Sequence, residues 1–490
     1  MTIDHWIADA AARDPAKTAI LFGAETLSYG ALNRAIDHRA ANLSAAGIGA
    51  GDRVAWYGLN HPELYILLFA LARIGGVLVP LNWRLAGPEI AAIVENCGPQ
   101  LVFHDHTFAD AARALPGCQA VAAGDDAPPS RPAPRGRIDA AAPLLIVYTS
   151  GSTGRPKGAV LRQSALIANA AMSVEAHEMR ADDRVLCILP GFHVGGLNII
   201  ATPAFSVGAT VDLHAKFDPS LATPALAHAQ AAVVVPTVLQ AMMADPAWAG
   251  LDLSRLRVLS IGSTDVPIDL ITAVQDLGVP VIQIYGATET APFAIYQRIP
   301  DAWDHPGSIG RVGSRCAARL IGPDGSDVAP GAIGEIWIKG ANILHEYWRD
   351  PAETRRALVD GWFKTGDMAR QDAAGHYWFA DRVKHVIISG GENIYPAEIE
   401  RVLRQCPGIK EAAIVGQRDA KWGEIPVAVL VADQTSGPAP APEAVMAHLE
   451  ARIARYKVPR RLIFVDALPR NAMGKVVAAE LRALIAGLAE

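Results

Sequence analysis

Apolar residues fall in short runs bounded by glycine, proline and charge, and the spacing of those runs predicts the elements. Ala31 to Ala46 has helical spacing, and Arg53 to Tyr57 reads as a short strand. Pro62 to Ile74 reads as a buried helix leading into the buried strand Val77 to Pro80. The rhythm returns at Ala231 to Pro236, Val258 to Ile261 and Val279 to Tyr285, short β-branched runs near helical stretches. Strands that are apolar throughout and alternate with helices imply α/β layers buried on both faces. The most apolar stretch, Leu64 to Leu81, is broken by Arg73, Gly75, Gly76 and Pro80 and is too short to span a bilayer.

From about Cys316 the pattern changes. Gly322-Pro323-Asp324-Gly325 signals a turn, and alternating strands such as Gly334 to Gly340 follow, predicting a small antiparallel, β-barrel-like region. The last hundred or so residues carry a pattern of their own. It reads as strand Val386 to Ser389, helix Pro396 to Gln405, strands Glu411 to Val415 and Pro426 to Val431, and helix Pro442 to Tyr456. That set suffices for a small, separate α+β domain. The expected division is a large N-terminal domain over residues 1–381 and a mobile C-terminal domain over 382–490. Ala127 to Arg137, rich in proline and arginine, reads as an exposed connection, and Gln434 to Ala441 as a linker.

The chain has 490 residues, enough for more than one core. Its net charge of −6 gives no general attraction to nucleic acid or anionic lipid, so an anionic ligand must be held by local donors. The five cysteines are scattered, without a CxxC, which argues against a zinc site or disulfide framework and favours a reducing cytoplasm. The N-terminus lacks the basic start and apolar run of a signal peptide.

Chemistry enters at Tyr148-Thr149-Ser150-Gly151-Ser152-Thr153-Gly154-Arg155-Pro156-Lys157-Gly158, which follows the apolar run Leu144 to Val147. Glycines let a backbone approach an anion, hydroxyls add donors, and Lys157 adds a point charge. A P-loop is excluded, because Lys157 is followed by Gly158 and lies too close to Gly154. The stretch resembles the signature loop of the adenylate-forming family: acyl- and aryl-CoA synthetases, peptide-synthetase adenylation domains and beetle luciferases. The resemblance implies phosphate roles for Thr149, Ser150, Gly151, Ser152, Thr153, Gly154 and Lys157.

Further segments match that family in its usual order and cover essentially the whole chain. In Tyr285-Gly286-Ala287-Thr288-Glu289-Thr290, the resemblance implies that Tyr285 stacks on adenine, flanked by Gly262, Gly286 and Ala287. Thr288 would meet the α-phosphate, and Glu289 with Thr149 would hold Mg²⁺. Asp367 of Thr365-Gly366-Asp367 and Arg382 of Asp381-Arg382-Val383-Lys384 would hold the ribose, with Lys384 at the hinge. Lys475, in Pro469-Arg470-Asn471-Ala472-Met473-Gly474-Lys475, would bridge the acid's carboxylate and the α-phosphate. Gly390 and Gly391 would line the coenzyme A channel.

His193, in Pro190-Gly191-Phe192-His193-Val194-Gly195-Gly196, would border the acyl pocket, with Val194, Gly195, Val235, Thr237, Gly262, Thr264 and Gly286. Those walls are small and uncharged, which disfavours a dicarboxylate and leans toward an aromatic, alicyclic or medium-chain acid. Gly195-Gly196 and Ala287 are expected to leave space. Gly262-Ser263-Thr264-Asp265-Val266-Pro267 departs from the family's usual Gly-Gly-Ala-Pro-Leu-Pro. The expected activity is ATP-dependent ligation of a carboxylic acid to coenzyme A through an acyl-adenylate, with Mg²⁺. Two other readings stay open: an adenylation enzyme that loads a carrier protein, and a nucleotide-binding module without chemistry. Expected partners are the acid and coenzyme A, with neither nucleic acid nor an integral membrane segment; a homodimer is allowed.

Overall fold

The structure is a computed structural model that describes residues 2–124, 138–150, 156–262, 266–389, 392–419, 422–433, 435, 438–470 and 475–487. Contacts divide the chain into two units, residues 1–318 with 337–365, and residues 319–336 with 366–490. Residues 366–381 thus group with the C-terminal residues, ahead of the division expected at 381/382.

Two sheets lie wholly within the first unit, and strands of a third, antiparallel sheet (Cys316–Ile321, Ile333–Gly340, Trp362–Gln371, Leu358–Val359 and Tyr377–Arg382) fall partly in it. The larger has nine strands, ordered Arg311–Val312, Ile295–Tyr296, Val281–Tyr285, Val258–Gly262, Ala231–Val234, Arg184–Cys187, Thr210–Leu213, Thr18–Phe22 and Glu25–Ser28. Its six central strands, from Val281–Tyr285 to Thr18–Phe22, are parallel. The other has seven strands, ordered Glu346–Tyr347, Pro156–Arg162, Pro143–Ser150, Val77–Pro80, Arg53–Tyr57, Leu101–His104 and Gln119–Ala122.

Side-chain alternation shows why these strands read as continuous apolar runs. Val185 and Cys187 face a core shared with Val54, Leu78 and Leu145 of the other sheet, whereas Leu186 and Ile188 face a second core. Ala55, Val79 and Ile146 of the seven-stranded sheet turn to a third. Helices Tyr29–Ala45, Pro62–Ile74 and Gln163–His177 contribute to the shared core. Helix Gly87–Cys97 covers the outer face of the seven-stranded sheet, and Pro236–Met243 and Ile268–Gln275 that of the nine-stranded one. Helix Pro62–Ile74 occupies the span expected from sequence. Proline starts it where no intrahelical donor is lost, and Gly75 ends it at φ 77°.

The second unit builds a five-stranded sheet around Gly423–Ala432. Ala428 and Leu430 pack with helices Pro396–Arg404 and Pro442–Glu450, while Val427 and Val429 pack with helix Ala478–Gly487. The helix expected over Pro442 to Tyr456 stops at Glu450. Its continuation is diverted because Ile453 packs into the core and Lys457 Nζ reaches Glu398 at 2.7 Å. Ala127 to Arg137 lies outside the described residues, and among those described no helix is long and apolar enough to cross a membrane.

One buried ion pair joins two helices of the shared core. Arg39 Nε lies 2.7 Å from Glu63 Oε1, with side-chain exposures of 2% and 4%, and the Arg39 guanidinium sits over the Phe103 ring. Removing one partner strands a buried charge. Arg39→Leu is therefore expected to destabilise the protein by about 3–5 kcal/mol in urea denaturation. An Arg39→Leu/Glu63→Leu variant is expected to recover most of that loss, and an unchanged midpoint in the single variant would refute the pair's role.

Candidate functional site

Open parallel sheets carry ligands at the C-terminal ends of their strands, because the strands themselves are covered on both faces. Here Val234 pairs with Ile261, and Gly262 with Ile284. Val235, Gly262 and Tyr285 therefore stand at the ends of three neighbouring strands. The next strand, Arg184–Cys187, runs on to Pro190 and His193. Asn60 fixes that exit: its Nδ2 donates to Leu189 O (3.0 Å) and His214 O (2.9 Å), and its Oδ1 accepts from Gly191 N (2.6 Å).

His193 caps the short turn Val194–Gly196 and packs against Phe192, ring centroids 4.5 Å apart. Phe192 meets Trp83 edge-on, and the Arg84 guanidinium stands over both rings at 5.0 and 5.8 Å. The glycines expected to leave space differ in their reasons. A Cβ on Gly196 would lie 2.2 Å from Pro190 O, so that glycine is demanded by backbone packing. A Cβ on Gly195 would meet nothing nearer than Ile199 Cδ1 at 3.9 Å, so Gly195 is the one that leaves room. Thr237 is exposed on the helix after Val235, and Thr264 lies outside the described residues.

The strand Val281–Tyr285 leads into a tight loop. A Cβ on Gly286 would lie 1.6 Å from Pro292 O, so only glycine fits. The Thr290 hydroxyl accepts from Ala287 N at 2.9 Å, shaping the turn that carries Thr288 and Glu289. The segment 344–348 links this loop to the seven-stranded sheet: Leu344 N donates to Glu289 O (2.8 Å) and Trp348 N to Gly158 O (2.7 Å). From it the Tyr347 hydroxyl donates to Glu289 Oε1 at 2.7 Å. Burial first, then the Glu289 carboxylate, push the Tyr347 pKa far up, so the phenol stays a donor.

Thr149 and Lys157 are cross-strand partners that frame the signature loop. Gly151, Ser152, Thr153 and Gly154 lie outside the described residues, as does the Ser150 side chain. Lys157, for which the resemblance implies a phosphate role, pairs with Glu353, Nζ to Oε1 2.5 Å, with both side chains largely buried. Glu353 also binds Arg356 through two hydrogen bonds.

In the second unit, Asp367 and Arg382 are cross-strand partners, with Arg382 Nε 3.0 Å from Asp367 Oδ1. Arg382 N also donates to Asp381 Oδ1, whose other oxygen accepts from Ala397 N at the start of helix Pro396–Arg404. Lys475 sits beside Val476, which bridges to Arg470, itself ion-paired with Glu411. Gly390, Gly391 and the Lys384 side chain lie outside the described residues.

Strand ends that present a Tyr-Gly-Ala-Thr-Glu loop, linked through segment 344–348 to the strand that carries Lys157, fit an adenylate-forming enzyme. The profile of the AMP-binding enzyme family matches residues 7–348, and that of the AMP-binding enzyme C-terminal domain matches residues 398–475. An indoleacetate–CoA ligase of Aromatoleum aromaticum is 46% identical over 506 positions, covering 99% of this chain and 98% of the relative. A feruloyl-CoA synthase of an Amycolatopsis species is 38% identical, covering 98% of each. The ATP-bound crystal structure of MatB from Rhodopseudomonas palustris superposes with a TM-score of 0.91 at 31% identity, covering 100% of each chain. The chain belongs to the AMP-binding enzyme family. It is an acid–thiol ligase of the AMP-forming type that uses ATP and coenzyme A.

Sequence reasoning missed Asn60, Tyr347, Glu353 and Arg84. Asn60 could have been noticed in Leu59-Asn60-His61-Pro62, as a polar residue at a strand exit, and Glu353 in Asp350-Pro351-Ala352-Glu353, as a helix start. The partners they meet are set by tertiary folding.

The Glu353 carboxyl is held below its usual value, first by the Arg356 hydrogen bonds and then by Lys157. A carboxyl whose pKa is depressed on folding adds stability above its unfolded value, and that stability is lost as pH falls through the folded value. Wild type is therefore expected to melt above Glu353→Gln near pH 7. The gap should close as pH falls below the ordinary carboxylate range; a gap constant from pH 7 to pH 3 would contradict this.

Proposed function

We propose that this ligase activates an aromatic carboxylic acid, and that the acyl group is seated among His193, Val194, Gly195, Val235, Gly262 and Gly286. The observation that carries the reading is the open space at Gly195, two residues from His193, along an edge of small uncharged residues. The aromatic acids named in the two relatives described above favour the same class. Five free cysteines suit a reducing cytoplasm.

The chemistry follows from charge. A carboxylate oxygen bonds to the α-phosphorus of ATP as the bond to pyrophosphate breaks. Both reactants are anionic, so the work is neutralisation and alignment. By the family resemblance, Lys475 bridges carboxylate and α-phosphate, Thr149 to Lys157 hold the β- and γ-phosphates, and Asp367 with Arg382 takes the ribose. Tyr285 stacks on adenine, and Thr288 donates to the α-phosphate. Lys157 must exchange Glu353 for phosphate to take its part. The donors available to Mg²⁺ fit a hard cation: the Glu289 carboxylate, oriented by the Tyr347 hydroxyl, and the Thr149 hydroxyl. When bound, the ion neutralises phosphate charge. In the second half-reaction the coenzyme A sulfur attacks the acyl carbon and AMP leaves. Rotation about Lys384 would then bring Gly390 and Gly391 to the pantetheine.

Incubation with Mg-ATP, coenzyme A and a pooled panel of aliphatic, alicyclic and aromatic acids, read by mass spectrometry, tests this directly. Aryl thioesters with matching AMP are expected. Aliphatic thioesters alone would overturn the substrate class, and adenylates without thioesters would point to a carrier protein as acceptor. Lys475→Ala is expected to slow adenylation by about 3–4 kcal/mol, roughly two to three orders of magnitude. An unchanged adenylation rate would remove Lys475 from the chemistry. Gly195→Leu is expected to lower kcat/KM for an aryl acetate at least about tenfold while sparing propionate, since a filled cavity rejects size rather than charge. Equal losses on both acids would move the ring elsewhere.

A further inference from the structure

One buried amide joins the turn that carries His193 to the loop that carries Glu289. Asn169, 1% exposed in helix Gln163–His177, donates from Nδ2 to Asn198 O at 2.7 Å. Its Oδ1 accepts from Phe293 N at 3.0 Å. Only one orientation of the amide meets both needs, because Phe293 N can only donate and Asn198 O can only accept.

Each end leads to a functional segment. Asn198 lies in the wide, π-type turn Leu197–Ala201, which continues from His193–Gly196. Such turns leave carbonyls without regular helical partners, and side chains supply them here. Thr202 Oγ1 donates to Leu197 O at 2.7 Å, Asn169 to Asn198 O, and Ser173 Oγ to Ile199 O at 2.5 Å. At the other end, Phe293 O accepts from Asn342 Nδ2 at 2.6 Å, and the same nitrogen reaches Thr290 O at 3.3 Å, next to Glu289.

The Asn198 side chain is fully buried, and neither its Oδ1 nor its Nδ2 has a hydrogen-bond partner among the described residues. The His193 turn and the loop that carries Glu289 thus share one buried amide, through which a shift in either reaches the other.

We propose that Asn169 is a positioning residue that couples acid binding to nucleotide binding: an acid settling against the His193 turn moves Asn198, and Asn169 passes the shift to Phe293 and the Glu289 loop. The proposal rests on the reading that the acid lies beside His193. The free energy of such coupling is reciprocal and typically corresponds to about 5–150-fold in affinity.

Isothermal titration of the full chain tests it. The probes are α,β-methylene-ATP with Mg²⁺ and the best acid from the panel, each titrated alone and in the presence of the other. Wild type is expected to bind the acid at least about fivefold more tightly with the nucleotide bound. Asn169→Ala is expected to bring that factor within about twofold while the affinity for each ligand alone changes less. Ser173→Ala is the control: it frees a neighbouring carbonyl of the same turn but leaves the hydrogen bond from Phe293 N to Asn169 intact, and should keep the coupling. Asn169→Asp, which retains size and the acceptor, replaces Asn169→Ala if that variant fails to fold. Coupling that survives loss of Asn169, that is absent from wild type, or that falls equally in Ser173→Ala overturns the proposal and leaves the ligase assignment standing. If no acid of the panel is adenylated, both the substrate reading and the proposal fall.

Discussion

Covering a sheet on both faces dictates most of this molecule. A strand with apolar cores above and below cannot offer polar chemistry along its length without stranding buried polar groups. Chemistry must leave the sheet, and parallel strands send it out at one edge. His193, Val235, Gly262 and Tyr285 are contributed by four neighbouring strands of the nine-stranded sheet for that reason. The same covering explains the Ile, Val, Leu and Ala runs that mark these strands in sequence.

Backbone approach sets a second, tighter limit. Gly286 faces Pro292 O so closely that no side chain can stand there, and Gly196 faces Pro190 O in the same way. These glycines hold the loop geometry rather than open a pocket. Gly195, next to Gly196, has the opposite environment. Two adjacent glycines thus differ in what requires them: backbone packing demands Gly196, whereas Gly195 borders open space.

That distinction marks how far the sequence could be read. Helix Pro62–Ile74 and strand Val77–Pro80 were legible to the residue, because proline, glycine and an unbroken apolar run are local signals. The Tyr285-to-Thr290 segment and the Asp367 and Arg382 positions were legible as motifs, and the last two are cross-strand neighbours. The end of helix Pro442–Glu450 was not, since the contacts of Ile453 and Lys457 that divert the chain lie far off in sequence. Nor was the Lys157–Glu353 pair, which spans 196 positions. Asn169 looks in sequence like one more polar residue on an Ala-rich helix; only packing reveals that it serves two segments at once.

Lys157 and Glu353 have a consequence for the resting enzyme. The lysine of the signature loop already holds a counter-ion, and that counter-ion is tethered within the same chain. A tethered partner acts at an effective concentration of order millimolar or above, whatever the surrounding solution contains. An anion that reaches Lys157 must displace a built-in carboxylate that Arg356 also holds. A nucleotide brings several contacts at once and can do so; a lone phosphate or sulfate brings few. The pair thus makes Lys157 costlier to reach for any anion than a lone lysine would be, and relatively least so for one that brings many contacts.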